Sequence, residues 1–413
     1  MNMFLQDIRY GIRTLLQKPG FTATAVLTLA LGIGANTAIF SIVNSILFKP
    51  LPTVRNPDEL VVLANRDDHM EFPHGLSYVD FLDYKEQCDE LEALAIYTPF
   101  PISISGEGRA ERTWAICASG DYFSLYGTPA QHGTTFQNDD FAPTGGEALL
   151  VMGYDFWQRS YGGDPSIVGK DLEVNGSIYT VAGVMPEGFN GNETIVHIDV
   201  YLPLTTMHML RDDVALIFED RDSHMFRAVG RVKEGVAIQE ARTSLQTIAK
   251  RLGEEYPDSN TGIELIVARE KDARPEPSLY GVMKPISIAF MGLVSLVLFI
   301  ACANVANLLL ARGMSRSREF ATRAALGASR GRIIRQMLTE TLMLALLGGV
   351  VGVFIAEVVA SALTTMTNNM PGDIPIKTNF HPDARVYGFA FLAASLACVI
   401  AGLLPALRSS RVN

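Results

Sequence analysis

The chain has 413 residues, 48% of them hydrophobic and only 19% charged, with a formal net charge of −10 and a mean hydropathy of +0.19. The charge is divided by region: residues 49–285 hold 38 Asp and Glu against 20 Lys and Arg, whereas 1–20, 312–336 and 408–413 together hold 12 Lys and Arg against 2 Asp and Glu. This balance excludes a disordered chain, a fully soluble enzyme and a nucleic-acid binder, and four cysteines are too few for a disulfide-built scaffold.

Residues 1–20 read as an amphipathic cytoplasmic helix carrying Arg9, Arg13 and Lys18. Residues 21–48 contain no charged residue over 28 positions, so they predict a membrane helix of about 42 Å. That exceeds the roughly 30 Å of a hydrocarbon core, so the helix tilts or projects outward as a stalk. No small-residue cleavage pattern follows it, which argues against a cleavable signal peptide.

Pro50, Pro52 and Pro57 mark the exit into an acidic α+β domain spanning 49–285. Strands are predicted at 60–64, 91–97, 112–118, 147–153, 226–233 and 263–268, and helices at 76–87, 154–161 and 237–256. Two runs at 171–175 and 178–185, separated by Gly176-Ser177, predict a hairpin. The expected plan is a βαβ-like lobe with an inserted β-rich lobe at about 110–215.

Three further apolar runs follow. Residues 286–311 are uncharged, 341–364 carry only Glu357 within a helix predicted over 337–364, and 386–407 are uncharged. With 21–48 they make four predicted transmembrane helices, so the fold class is a membrane α-helical protein with a large α+β domain between helices 1 and 2. Lys and Arg in short flanking segments face the cytoplasm. The arginine-rich loop 312–336, the tail 408–413 and both termini are therefore expected inside, and 49–285 and the loop 365–385 outside.

Asn36 and Asn44 share a face at i, i+8, as do Asn304 and Asn307 at i, i+3, and Gly348 and Gly352 form a G-x-x-x-G pair; all six read as helix–helix contacts. No catalytic, cofactor-binding or metal-ligating set emerges. There is no phosphate loop, H-E-x-x-H or G-x-S-x-G pattern, and His69 and His74 lack helical spacing. Cys88 and Cys117 lie on the outer side, where spacing alone leaves their pairing open; Cys302 and Cys398 read as apolar filler.

The loop 312–336 sets Glu319 among seven arginines and predicts a helix–Gly–helix turn at Gly327 and Ala328. Together with TAVLTLALGIGANTAIFSIVNSILF (24–48), ASGDYFSLYGTPAQHGTTF (118–136), the stretch 154–191, residues 228–257, and ACANVANLLLAR and REFATRAALGASRGR within 295–350, it makes the chain resemble ABC-transporter permeases of the MacB and FtsX-like superfamily. The nearest variety fuses two four-helix units in tandem, and one unit is present here. The resemblance implies that a separate ATPase binds the cytoplasmic loop through Arg318, Glu319, Arg323, Gly327, Ala328 and Arg332, and that ATP and Mg belong to that partner. It also implies a second permease unit, as homodimer or sister chain, a periplasmic adaptor, and the bacterial inner membrane as location. Export or extraction of a substrate is the leading expectation. A signalling permease that controls a cell-wall hydrolase or sensor, and a non-functional remnant, are the alternatives.

Overall fold

The computed structural model describes residues 3–48, 51–67, 72–106, 109–137, 144–194, 196–274, 277–279, 281–315, 322, 330–368, 380 and 382–409. Contacts divide the chain into two compact units, one formed by 1–45, 284–366 and 379–413, the other by 46–283 with 367–378.

The first unit is a bundle of long helices: α1 (Met3–Leu16), α2 (Pro19–Val43), and, after the second unit, a long apolar helix at Met283–Ser315, another at Arg330–Asn368 and a last at Ala384–Ser409. Pro19 opens α2 at its first position, where no N–H is needed. Beyond Val43 the helix loosens into a π turn over Asn44–Phe48. Three spans, Pro19–Phe48, Met283–Arg312 and Arg335–Met366, are long and apolar enough to cross a membrane, and Ala384–Ile400 forms a shorter apolar stretch. Small residues (Ala25, Cys302, Ala306, Ala345, Ala394, Ala397) share the interior with Leu29, Ile33, Val305 and Leu344. Large ones point out: Leu296, Phe299, Val350, Phe354, Phe391 and Leu396 are all exposed. Exposed apolar girth around a core rich in small residues is the pattern of helices packed in lipid.

The second unit is built on one sheet. Its strands are β1 (Leu60–Arg66), β2 (Leu91–Gly106), β3 (Arg109–Ala118), β4 (His132–Gly133), β5 (Leu149–Met152), β6 (Asp171–Val174), β7 (Ser177–Val184), β8 (Val200–Pro203), β9 (Arg227–Val232) and β10 (Glu264–Arg269), with helices α3 (Tyr78–Gln87), α4 (Tyr122–Tyr126), α5 (Tyr154–Tyr161), α6 (Val214–Glu219), α7 (Ile238–Glu255) and α8 (Pro257–Asn260) between them. The helices Met283–Ser315, Arg330–Asn368 and Ala384–Ser409 are therefore α9, α10 and α11.

The sheet order is β10-β1-β9-β2-β3-β8-β5-β7-β4, with β6 pairing β2 and β7. Both β1 and β2 run antiparallel to β9, so α3 is the crossover of a split βαβ unit; β9, α7 and β10 form the second around β1. The stretch 110–215, expected as an inserted lobe, contributes β3 to β8, hydrogen-bonded into this same sheet. Alternate residues of each strand enter opposite cores. Leu94, Ile96, Ala115 and Cys117 face one, and Ala95, Tyr97, Ile116 and Ala118 the other.

Two local expectations change. The hairpin turn falls on Asn175 and Gly176, whose φ values are 48° and 86°, one residue earlier than expected. Asn-Gly is the pair that tolerates left-handed backbone at both turn positions. Strand β2 also runs nine residues past its expected end at Tyr97, through Pro99 and Pro101. Those prolines fall where β2 has left β9, paired up to Tyr97, and has not yet met β6 at Ile104. On that open edge the missing N–H costs no ladder bond.

Candidate functional site

Helix α2 organises the bundle through small and amide residues. A Cβ on Gly34 would lie 2.9 Å from Gly352 O, one on Gly348 would lie 2.7 Å from Leu29 Cβ, and one on Gly32 would lie 3.0 Å from Ala301 Cβ. Gly348 and Gly352 thus bring α10 against α2 within one chain. Asn36 Nδ2 donates to Gly32 O at 2.9 Å and across to Val294 O of α9 at 2.7 Å. Nearer the π turn, Ser41 Oγ donates to Phe380 O, and Asn44 Nδ2 donates to Asp383 Oδ2 at 2.9 Å. Asp383 also accepts from the N–H groups of Arg385 and Val386, capping the start of α11. Burial works against the Asp383 charge, but the Asn44 amide and these N–H donors hold its carboxyl below the usual range.

Asn304 and Asn307 have a different position. Both are exposed on α9, beside the buried Val305 and Ala306. Sequence reasoning missed Gly32, Gly34, Ser41 and Asp383. The L-G-I-G run within α2 and the Asp before Ala384 were the available signals, but neither says which helix lies opposite.

Of the loop residues, Arg318, Glu319, Arg323, Gly327 and Ala328 lie outside the described residues, and Arg332 is exposed on the first turn of α10. Arg312, at the loop's start, donates from Nη2 to Thr14 O at 3.1 Å and stacks 4.5 Å from the Phe21 ring centroid. It therefore ties α1 and the start of α2 to the end of α9 by a charge-assisted bond and a cation–π contact.

The outer unit carries a buried polar clasp at Asp199. Arg159 Nη2 lies 2.8 Å from its Oδ2, His197 Nε2 3.3 Å from its Oδ1, and Thr113 Oγ1 donates to Oδ2. Burial opposes the Asp199 charge, yet His197, Arg159 and Thr113 together hold its carboxyl well below the ordinary range. Arg231 is fully buried on β9 and donates to Leu125 O, Asn56 O and Arg55 O and to Glu59 Oε2, pinning the chain that follows α2 onto the sheet. Cys88, Cys117, Cys302 and Cys398 are all free and buried. Among the described residues no three His, Cys, Asp or Glu side chains group to hold a metal ion.

An acidic α+β unit inserted between apolar helices defines a membrane-embedded permease class. Residues 22–248 match the MacB-like periplasmic core domain, and 291–413 match the FtsX-like permease C-terminal. The chain belongs to the MacB/FtsX-like family of ABC permeases. The macrolide export ATP-binding/permease protein MacB of Chromobacterium violaceum is 25% identical over 298 residues, covering 71% of this chain and 41% of that protein. MacB of Escherichia coli strain K12 is 24% identical over 360 residues, covering 84% of this chain and 49% of that one. The chain thus spans less than half the length of these curated relatives. The crystal structure of the periplasmic region of MacB from Actinobacillus actinomycetemcomitans aligns with a TM-score of 0.39 at 11% identity, covering 54% of this chain and 94% of that one.

Proposed function

We infer that this chain is the permease subunit of an ABC transporter that converts ATP hydrolysis by a separate ATPase into movement of its outer domain, for export or extraction of a substrate. The observation that carries the reading is the presence of both family regions in one chain, the outer domain at 22–248 and the permease region at 291–413. The chain itself hydrolyses no ATP, because it has no phosphate loop; ATP and Mg bind the partner. Helix α11 is the fourth span, which puts both termini in the cytoplasm of a bacterial inner-membrane protein and the acidic domain outside. The coupling contacts are Arg318, Glu319, Arg323, Gly327, Ala328 and Arg332. A second permease chain completes the unit: amide side chains such as Asn304 and Asn307, exposed on an apolar helix, are stabilised by a polar partner across a helix interface.

Copurification of an ATPase from native membranes tests this reading. Gly327→Val and Glu319→Lys leave the loop's positive character in place and should insert normally. Each should weaken ATPase recovery by roughly 5–150-fold, the loss expected for one strong interfacial contact. Full recovery with both variants would reduce the loop to a topology signal. Recovery of a hydrolase or kinase without transport would favour signalling. Cysteine labelling from outside should succeed at Ser278 and fail at Ser315; the reverse result would invert the orientation.

A further inference from the structure

The outer unit contains a cavity of about 320 Å³. It lies at the fork where β2 parts from β9. The last β2–β9 pair is Tyr97 with Arg227, and the next residues of β2, Thr98 and Pro99, line the cavity opposite Met225 and Arg227. The prolines leave this edge without a strand to close it, so the fork is written into the sequence. Trp114 of β3 and Leu63 of β1 supply further apolar wall. His74 forms another side, held by backbone bonds between Asn65 and His74 in both directions. Its neighbour Gly75 permits that approach: a Cβ there would lie 2.4 Å from Phe226 O.

The wall offers a guanidinium donor whose charge is balanced by a carboxylate. Arg227 Nη1 lies 2.5 Å from Glu193 Oε1, and His74 Nε2 lies 2.9 Å from Asp67 Oδ2. The Arg227 charge is therefore met by a carboxylate, and both ring nitrogens of His74 are engaged, Nε2 with Asp67 and Nδ1 with Gly75 O at 3.1 Å. The domain around them is acidic overall, which disfavours an anionic guest, and both local carboxylates are already engaged, which disfavours a cationic one. The volume suits roughly 15–20 non-hydrogen atoms at protein packing density. We propose that this cavity binds an uncharged, amphipathic small molecule, its apolar body against Trp114, Pro99 and Met225 and a carbonyl-type acceptor toward the Arg227 guanidinium. Ser278 closes one side, on the short turn Pro277–Leu279 that leads into α9 at Met283. An occupant therefore touches the segment joining the outer domain to a membrane helix. The proposal stands apart from the ATPase reading, since binding is measured without nucleotide or partner.

The test uses the full chain in nanodiscs with Trp157→Phe, which leaves Trp114 as its only tryptophan. The probe is 7-methoxycoumarin, flat and uncharged, read by energy transfer from Trp114. Saturable transfer is expected, weakened at least tenfold by Ser278→Phe, which fills the cavity from its rim. Thr98→Leu, from the opposite wall, should weaken it in the same direction and guards against a single misfolded variant. Coumarin-3-carboxylate should bind more weakly than the neutral probe. Transfer that rises without saturation, or that both fillers leave unchanged, would mean partition into lipid and overturn the site. Tighter binding of the carboxylate would overturn the assigned ligand class.

Discussion

The two units of this chain bury different mixtures of residues. In the outer domain Leu, Ile, Phe and Tyr fill both faces of a sheet, and the buried carboxylates Asp80, Glu193, Asp199 and Glu270 are each paired with an arginine. In the bundle Ala, Gly, Cys and Asn share the interior with Leu29, Ile33, Val305 and Leu344, while Leu296, Phe299, Val350 and Phe354 face outward. The same rule, that apolar surface leaves water, gives both arrangements once the solvent differs. In water the core gains from burying large side chains. In lipid that drive is absent between helices, so close backbone approach and interhelical hydrogen bonds take over.

The comparison predicts where each unit is fragile. The largest effect is expected at Arg231. Arg231→Met strands the buried Leu125 carbonyl, frees the part-buried carbonyls of Arg55 and Asn56 and removes the Glu59 partner, at a cost of about 3–5 kcal/mol. Thermal melting of the full chain followed by tryptophan fluorescence, both tryptophans lying in the outer domain, should show that domain unfolding early; an unchanged melt would mean the Arg231 bonds are not structural. In the bundle, Gly352→Leu should cost about 1–3 kcal/mol by driving α10 from α2, because a Cβ there meets Ala30 O at 2.9 Å. Gly292→Leu on α9, with nothing within 4 Å, should be neutral. Equal losses of helicity in detergent titrations of the two variants would contradict the packing. Asn36→Leu removes one interhelical bond and should cost about 0.6–2 kcal/mol on the same assay.

The smallest effect is a pH dependence confined to the outer domain. Burial and the neighbouring His74 hold His224 below its ordinary value of 6.5. The unfolded chain therefore binds that proton more readily than the folded one, so stability present at neutral pH is lost as pH falls through and below 6.5. The melting temperature of the outer domain should fall with acidification in that range. His224→Gln should flatten the slope, and an equally steep slope in the variant would assign it elsewhere.

Residues that repeat at short range were legible in the sequence. Ala241, Leu245, Ile248 and Leu252 at helical spacing gave α7, and uncharged runs gave the long helices. The continuation of β2 past Tyr97 runs through Pro99 and Pro101, which only the absence of a neighbour on one edge makes tolerable, and no local pattern reports that absence. The G-x-x-x-G pair was visible, but its partner was not: Gly34 is more than 300 residues from Gly352, and no local pattern reports a contact at that distance. The Asp199 clasp draws Thr113, Arg159 and His197 from three separate segments and was invisible for the same reason.

The central claim, that ATP hydrolysis by a partner moves the outer domain, is tested most directly by a distance. Spin labels at Asp212 in the outer domain and Gly388 in the bundle both sit at exposed positions. Their separation is to be measured by pulsed electron resonance in nanodiscs holding the permease and its copurified ATPase, first without nucleotide and then with ATP, Mg and vanadate. The account predicts a distance distribution that shifts with trapped nucleotide and does not shift in Glu319→Lys. A distribution identical in the two nucleotide states, with the ATPase bound and turning over, would contradict it.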